Sequence, residues 1–200
     1  MNSFLKVSFS ILLILFSFQL SHAQKNKWVE GKIITKSNET IKGCVKRPNL
    51  KPREQVEIKA DCAKKKNLYF SKEIDMYTYA GLTYRSVFIP HKFKPYLLIE
   101  FQIQDNGFHY FLLALTEGKY DLYEFDLKQN QSKGEYILRD SNNRLITLNK
   151  KKLNKNSKKE LKELRKFFQE DSEMLNFLAQ TTLDYDSFLA KVKSLNEENF

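Results

Sequence analysis

YILRDSNNRLITLNKKKLNKNSKKELKELRKFF, residues 136–168, carries the change of hydrophobic period on which the fold turns. Its first part holds two short β-type runs, Tyr136 to Arg139 and Leu145 to Leu148, closing around the turn-forming Ser141-Asn142-Asn143. After Asn149 the apolar spacing changes from two to 3.6. Leu161, Leu164, Phe167 and Phe168 cover a stripe of roughly 120° on a helix, and Ser157 with Glu160 has the spacing of a capping box. Met174, Leu175, Phe177 and Leu178 predict a second short helix. Asp184 is placed to cap a third, which carries Phe188, Leu189, Val192 and Leu195. Helices this short are marginal alone, so their apolar faces call for a packing partner.

Upstream the pattern is that of strands throughout. Trp28, Gly31 and Ile33 precede Ser37-Asn38-Glu39, and Ile41, Gly43 and Val45 follow it. A three-residue turn at 37–39 predicts Thr35 opposite Ile41 and Ile33 opposite Gly43. Arg47 to Glu54, with Pro48 and Pro52, reads as a loop, and Val56, Ile58 and then 67–70 as the next strands. Ile74 to Tyr79 and Leu82 to Ile89 flank Ala80-Gly81, a hairpin that would set Tyr77 opposite Tyr84. Asn106-Gly107 is a type I′ hairpin signal, with Ile103 facing Tyr110, Phe101 facing Leu112 and Ile99 facing Ala114. Thr116-Glu117-Gly118 turns the chain into a strand whose apolar face is Tyr123, Phe125 and Leu127, and 129–134 is a polar loop. The fold class is therefore α+β: an antiparallel β-meander of about ten strands over 24–149, barrel-like or sandwich-like, followed by a short three-helix C-terminal segment over 150–200 packed on it.

The first 23 residues are set apart from that fold. Lys6 precedes an apolar run from Val7 to Leu20, and Ser21-His22-Ala23 supplies small residues at a cleavage site, the pattern of a signal peptide. No later segment is apolar enough to span a bilayer, and Gln24 rather than Cys follows the cut. The expected product is exported, residing in the periplasm, at the outer membrane or outside the cell, with no transmembrane span after cleavage. Of 200 residues 42% are hydrophobic and only 10 are Gly or Pro, which excludes disordered and collagen-like classes. Cys44 and Cys62 both lie in the exported part, so a disulfide between them is expected. Neither a Cys-x-x-Cys nor a zinc spacing occurs.

The formal charge is +10, of which the leader contributes one Lys and no acid. Only six of the 34 basic residues are Arg: Arg47, Arg53, Arg85, Arg139, Arg144 and Arg165. That ratio disfavours bidentate phosphate recognition and makes nucleic acid a poor partner. Lys64-Lys65-Lys66 and Lys150-Lys151-Lys152 stand beside Asn and Ser and read as solvated loops. His91 and His109 are the histidines left after cleavage, without a metal-binding spacing, and no metal or cofactor site is expected. No Gly-x-Ser-x-Gly, Walker or His-Glu-x-x-His pattern is present, so no catalytic residue is assigned. Asp121, Glu124 and Asp126 near Glu117 are spaced as strand-surface carboxylates.

The candidate ligand site is the Pro-bounded loop Pro90 to Tyr96, with Lys92, Phe93, Lys94 and Tyr96, together with Tyr77, Tyr79 and Tyr84. Rings and ammonium groups there suit a sugar-like or anionic polymer, while the plainer reading puts Phe93 and Tyr96 in the core and the tyrosines in cross-strand packing.

The segment 111–119, FLLALTEGK, continuing through Leu122-Tyr123-Glu124, resembles one found in uncharacterised exported proteins of Bacteroidota-type bacteria. Gly31-Lys32-Ile33, Ile41-Lys42-Gly43, the Tyr-rich middle and Tyr136-Ile137-Leu138 extend the likeness, with Leu195-Asn196 where a Tyr-Asn pair is looked for. The resemblance implies an envelope location and this architecture, and it assigns no site residue. The leading functional expectation is a non-catalytic binding or structural module of the cell envelope, its partner an envelope protein or a glycan. The alternatives are a hydrolase with an unrecognised site and a Lys-driven binder of acidic glycan, nucleic acid or an anionic lipid surface.

Overall fold

The computed structural model describes residues 27–47, 54–63, 65–90, 107–125, 135–179 and 183–198. It divides into two compact units, the first ending at Gly81 and the second beginning at Leu82. The signal-peptide region, the turn at 106, the strand expected over 99–104, and the loop residues Lys92, Phe93, Lys94 and Tyr96 lie outside the described residues.

In the first unit β1 (Val29–Thr35), β2 (Thr40–Lys46), β3 (Gln55–Ala60), β4 (Asn67–Phe70) and β5 (Ile74–Tyr79) are antiparallel neighbours in the order β5-β1-β2-β3-β4. This is not a simple meander, because β5 returns to pair with β1, with Ile33 opposite Tyr77. Ile33, Val45, Val56, Ile58 and Tyr77 share one face and are fully buried. Their opposite face carries Trp28, Lys32, Lys42, Cys44, Lys46 and Lys59 by the period of two. The β1–β2 register differs from expectation: Ile33 pairs with Ile41 and Gly31 with Gly43. The loop is 36–38 rather than 37–39, since Thr35 N donates to Glu39 O at 2.9 Å and Asn38 takes the left-handed conformation at φ 62°. That is a three-residue hairpin with its third loop residue left-handed. Cys44 and Cys62 are at disulfide bonding distance, 2.02 Å between sulfurs.

The second unit is a meander, β6 (Leu82–Pro90), β7 (Gly107–Thr116), β8 (Tyr120–Glu124), β9 (Glu135–Asp140) and β10 (Leu145–Asn149), paired in that order. Among the described residues no ladder joins the two ends of either unit's row of strands. Gly107 is the first residue of β7, opposite Pro90, so β7 takes β6 as a partner where the sequence suggested 99–104. The β9–β10 loop is 141–143 as read, with Asn143 left-handed at φ 57°. Four helices follow, one more than expected: α1 (Lys150–Asn154), α2 (Lys158–Phe167), α3 (Ser172–Phe177) and α4 (Tyr185–Glu197). They cover one face of the sheet. Leu164, Phe168, Met174, Phe188 and Val192 pack with Tyr120, Leu122, Tyr136 and Leu138 in one core. The alternate residues of the same strands, Tyr123 and Ile137, join Val87, Ile89, Tyr110, Leu112 and Phe125 in a second cluster. Both faces of β8 are therefore buried, whereas the sequence identified only the Tyr123 side.

Candidate functional site

The segment 150–166 holds nine Lys or Arg against two Glu, the densest charge in the chain. Structure turns it into a fixed surface. Lys150-Lys151-Lys152, read from sequence as a solvated loop, forms the first turn of α1, because Asn149 caps that turn by accepting from Lys152 N at 3.1 Å. Leu153 anchors the helix in the core. Asn156, left-handed at φ 51°, ends it, and Ser157 N returns to Lys152 O at 3.0 Å. Asn154 and Asn156 accept from Tyr185 N (2.8 Å) and Leu183 N (3.3 Å), which ties the α1–α2 connection to the start of α4. Leu164, Phe167 and Phe168 bury the other side of α2.

On that scaffold Lys158, Lys159, Lys162, Arg165 and Lys166 fall within an arc of roughly 120°, opposite the buried stripe, at about 100° per residue. All five are exposed, as are Lys151, Lys152 and Lys155. Lys150 is held by Asp186 at 3.1 Å and lies over the Tyr185 ring, and Arg165 donates to Leu178 O. Among the described residues Lys151, Lys155, Lys158, Lys159, Lys162 and Lys166 have no carboxylate within 4.0 Å. Their placement is mixed for the helices: Lys151 and Lys166 lie in last turns, where the macrodipole favours cations. Lys158 and Lys159 occupy the first turn of α2, where the macrodipole favours acids. Lys158–Lys162 and Lys162–Lys166 are like-charge pairs at i,i+4, each unfavourable by about 0.2–0.5 kcal/mol. The first turn of α1 carries no acid at all. The like-charge repulsion along α2 is what a bound polyanion would relieve.

The sequence-derived candidates are placed differently. Tyr77, Tyr79 and Tyr84 are only 0%, 5% and 2% exposed, so their rings are held in the interior. His109 lies on β7 with Nδ1 3.3 Å from Ser86 Oγ and its ring against Phe88. These side chains project from paired strands, with Ser86 and His109 facing Phe111 and Phe88 in the ladder. Asp121 is not a free surface carboxylate. It accepts from Arg139 (2.7 and 3.0 Å), Gly118 N and the Tyr123 hydroxyl, while Glu117 accepts from Arg85 at 2.7 Å. Burial, then the neighbouring Asp121 charge, raises the Tyr123 hydroxyl pKa far above the ordinary phenol value, so it stays protonated as a donor to these acids. Among the described residues no group of three His, Cys, Asp or Glu could hold a metal ion, and no helix is long and apolar enough to cross a membrane.

The basic surface was missed as a site because Lys runs beside Asn and Ser look like loop. The usable signal was the helical spacing of 158, 159, 162, 165 and 166, which puts every cation of α2 on one side. Comparison of the chain with protein-family models, with curated proteins and with solved structures gives no match.

Proposed function

We propose that this protein is an exported, non-catalytic binding module of the cell envelope, of the kind its sequence resembles, and that the α1–α2 surface holds an acidic glycan. The observation that carries the reading is the one-sided array of exposed lysines on α2, Lys158, Lys159, Lys162 and Lys166, none with a carboxylate within 4.0 Å among the described residues. Because the apolar side of α2 is buried, the surface offers charge without an apolar face for insertion into lipid. Ammonium groups rather than guanidinium forks suit diffuse recognition of carboxylates or sulfates along a polymer.

The test uses polygalacturonate as probe. Affinity should fall steeply with salt, by a slope that grows with the number of ammonium groups neutralised. Lys155→Glu/Lys158→Glu/Lys162→Glu should weaken binding at least about tenfold, since three favourable contacts become repulsive. Its melting temperature should change by only a few degrees, because the acid gained in the first turn of α2 by Lys158→Glu is offset by an acid at the C-cap of α1 and by a like-charge pair at positions 158 and 162. Salt-insensitive binding, or full binding by the triple variant, would refute the assignment.

A further inference from the structure

Trp28 is the only tryptophan of the chain, and it stands partly exposed on the outer face of the first unit's sheet. The next residue, Val29, pairs with Val45, which sets Trp28 alongside Lys46 on the face opposite the Ile33 core. Lys59 Nζ lies 4.5 Å and Lys46 Nζ 5.9 Å from the indole centroid. Neither ammonium group has a carboxylate within 4.0 Å among the described residues.

The backbone under Lys59 is held from three sides. Gly43 lets β3 approach closely, since a Cβ there would meet Lys59 O at 2.0 Å. Cys62 N donates to Lys59 O at 3.0 Å, and Cys44, directly opposite Lys59, is joined to Cys62. The acids on the same face are Glu30, beside Cys44 in the ladder, and Glu57, which Lys66 holds at 3.0 Å. Lys32 and Lys42 face each other one step further along, a like-charge pair that an anion would relieve.

We propose that Trp28, Lys46 and Lys59 form a second site, which takes a carboxylated sugar residue of an acidic glycan. The apolar face of the pyranose packs on the indole, and its carboxylate replaces the ring as the partner of the two ammonium groups. A single indole with lysines suits one ring and one carboxylate. Single-stranded nucleic acid calls instead for a succession of stacking platforms.

The position of Trp28 makes the test direct, because the protein's tryptophan emission reports on this residue alone. Oligogalacturonate added to the mature protein at low salt should give a saturable emission change that neutral malto-oligosaccharide and an oligo-dT strand do not give. Lys46→Gln/Lys59→Gln should weaken that response at least fivefold, and Lys46→Arg/Lys59→Arg should retain it, which separates charge from folding. Lys155→Glu/Lys158→Glu/Lys162→Glu should leave it unchanged, so this site and the α1–α2 surface succeed or fail separately. No saturable change in the wild-type protein, an equal response to the neutral sugar, or a stronger one to oligo-dT would overturn the proposal.

Discussion

Asp171 ties β8 and the residue before it to the start of α3. Its Oδ2 accepts from Lys119 Nζ and the Tyr120 hydroxyl, both at 2.7 Å, and its Oδ1 caps α3 by accepting from Met174 N at 2.9 Å. Burial alone would raise its pKa, but the Lys119, Met174 and Tyr120 donors outweigh that and hold it below the ordinary carboxylate value. A depressed folded-state pKa means stability that is present above the unfolded value of about 3.9 and is lost as pH falls through the lower folded value. Asp171→Asn keeps a good cap while removing the charge. We expect it to cost about 1–2 kcal/mol at neutral pH, the range of charged hydrogen bonds, because the Lys119 side chain is itself partly exposed and can be solvated when the charge is lost. The gap in melting temperature from wild type should close below pH 4, and a gap independent of pH would show that the carboxylate charge is not what matters. Asn196 works by shape in a comparable way: it accepts from Tyr120 N and donates to Tyr120 O and Thr116 Oγ1. Gly118, at φ 154°, leaves it room, since a Cβ there would come within 2.8 Å of its side chain.

Helix ends show where local pattern and actual geometry part. Ser157 and Glu160 have capping-box spacing, yet Ser157 makes no side-chain cap, and Glu160 Oε1 accepts from Asn149 N at 2.7 Å instead. The acid closes the strand-to-helix junction of β10 and α1 rather than its own helix. Ser157→Ala should therefore change stability by less than about 0.5 kcal/mol, the range of an uninvolved surface site. Glu160→Ala should cost about 1–2 kcal/mol through the orphaned amide. Chemical denaturation of both variants decides the matter, and a larger loss for Ser157→Ala would restore the box. Asp184 behaves as its sequence position suggested, accepting from Ser187 N at 2.8 Å. The two hairpin loops at 36–38 and 141–143 share one solution, an Asn in left-handed backbone at the third loop position. Asn is among the residues that reach that region with least strain.

At the scale of the molecule, the Cys44–Cys62 link closes a separation of 18 residues within the first unit. By the chain-entropy estimate such a loop contributes about 3 kcal/mol. Reduction should lower the denaturant midpoint, and hydrogen exchange should place the loss of protection in β2 and β3 with β6–β10 unaffected. Equal protection in both redox states would remove the link from the stability of this unit.

Alternation along Val29–Thr35, Thr40–Lys46 and Glu135–Asp140, the change of period after Asn149, the Asp184 cap and the pairing of the two cysteines could all be read without coordinates. Each depends on residues close in sequence or on a redox rule. Contacts between distant residues decided the rest. They brought β5 back beside β1, shifted the first hairpin by one loop residue, buried Tyr120 and Leu122 under the helices, and sent Glu160 to Asn149. The candidate sites divide in the same way. The lysines of 150–166 were visible as composition, but the burial of Leu164 and Phe167 is what leaves those of α2 on one exposed side. Trp28 came within reach of Lys46 and Lys59 only once β1, β2 and β3 were in register. Periodicity reports the geometry a segment adopts by itself, whereas neighbours across a sheet are chosen by burial and hydrogen bonding over the whole chain.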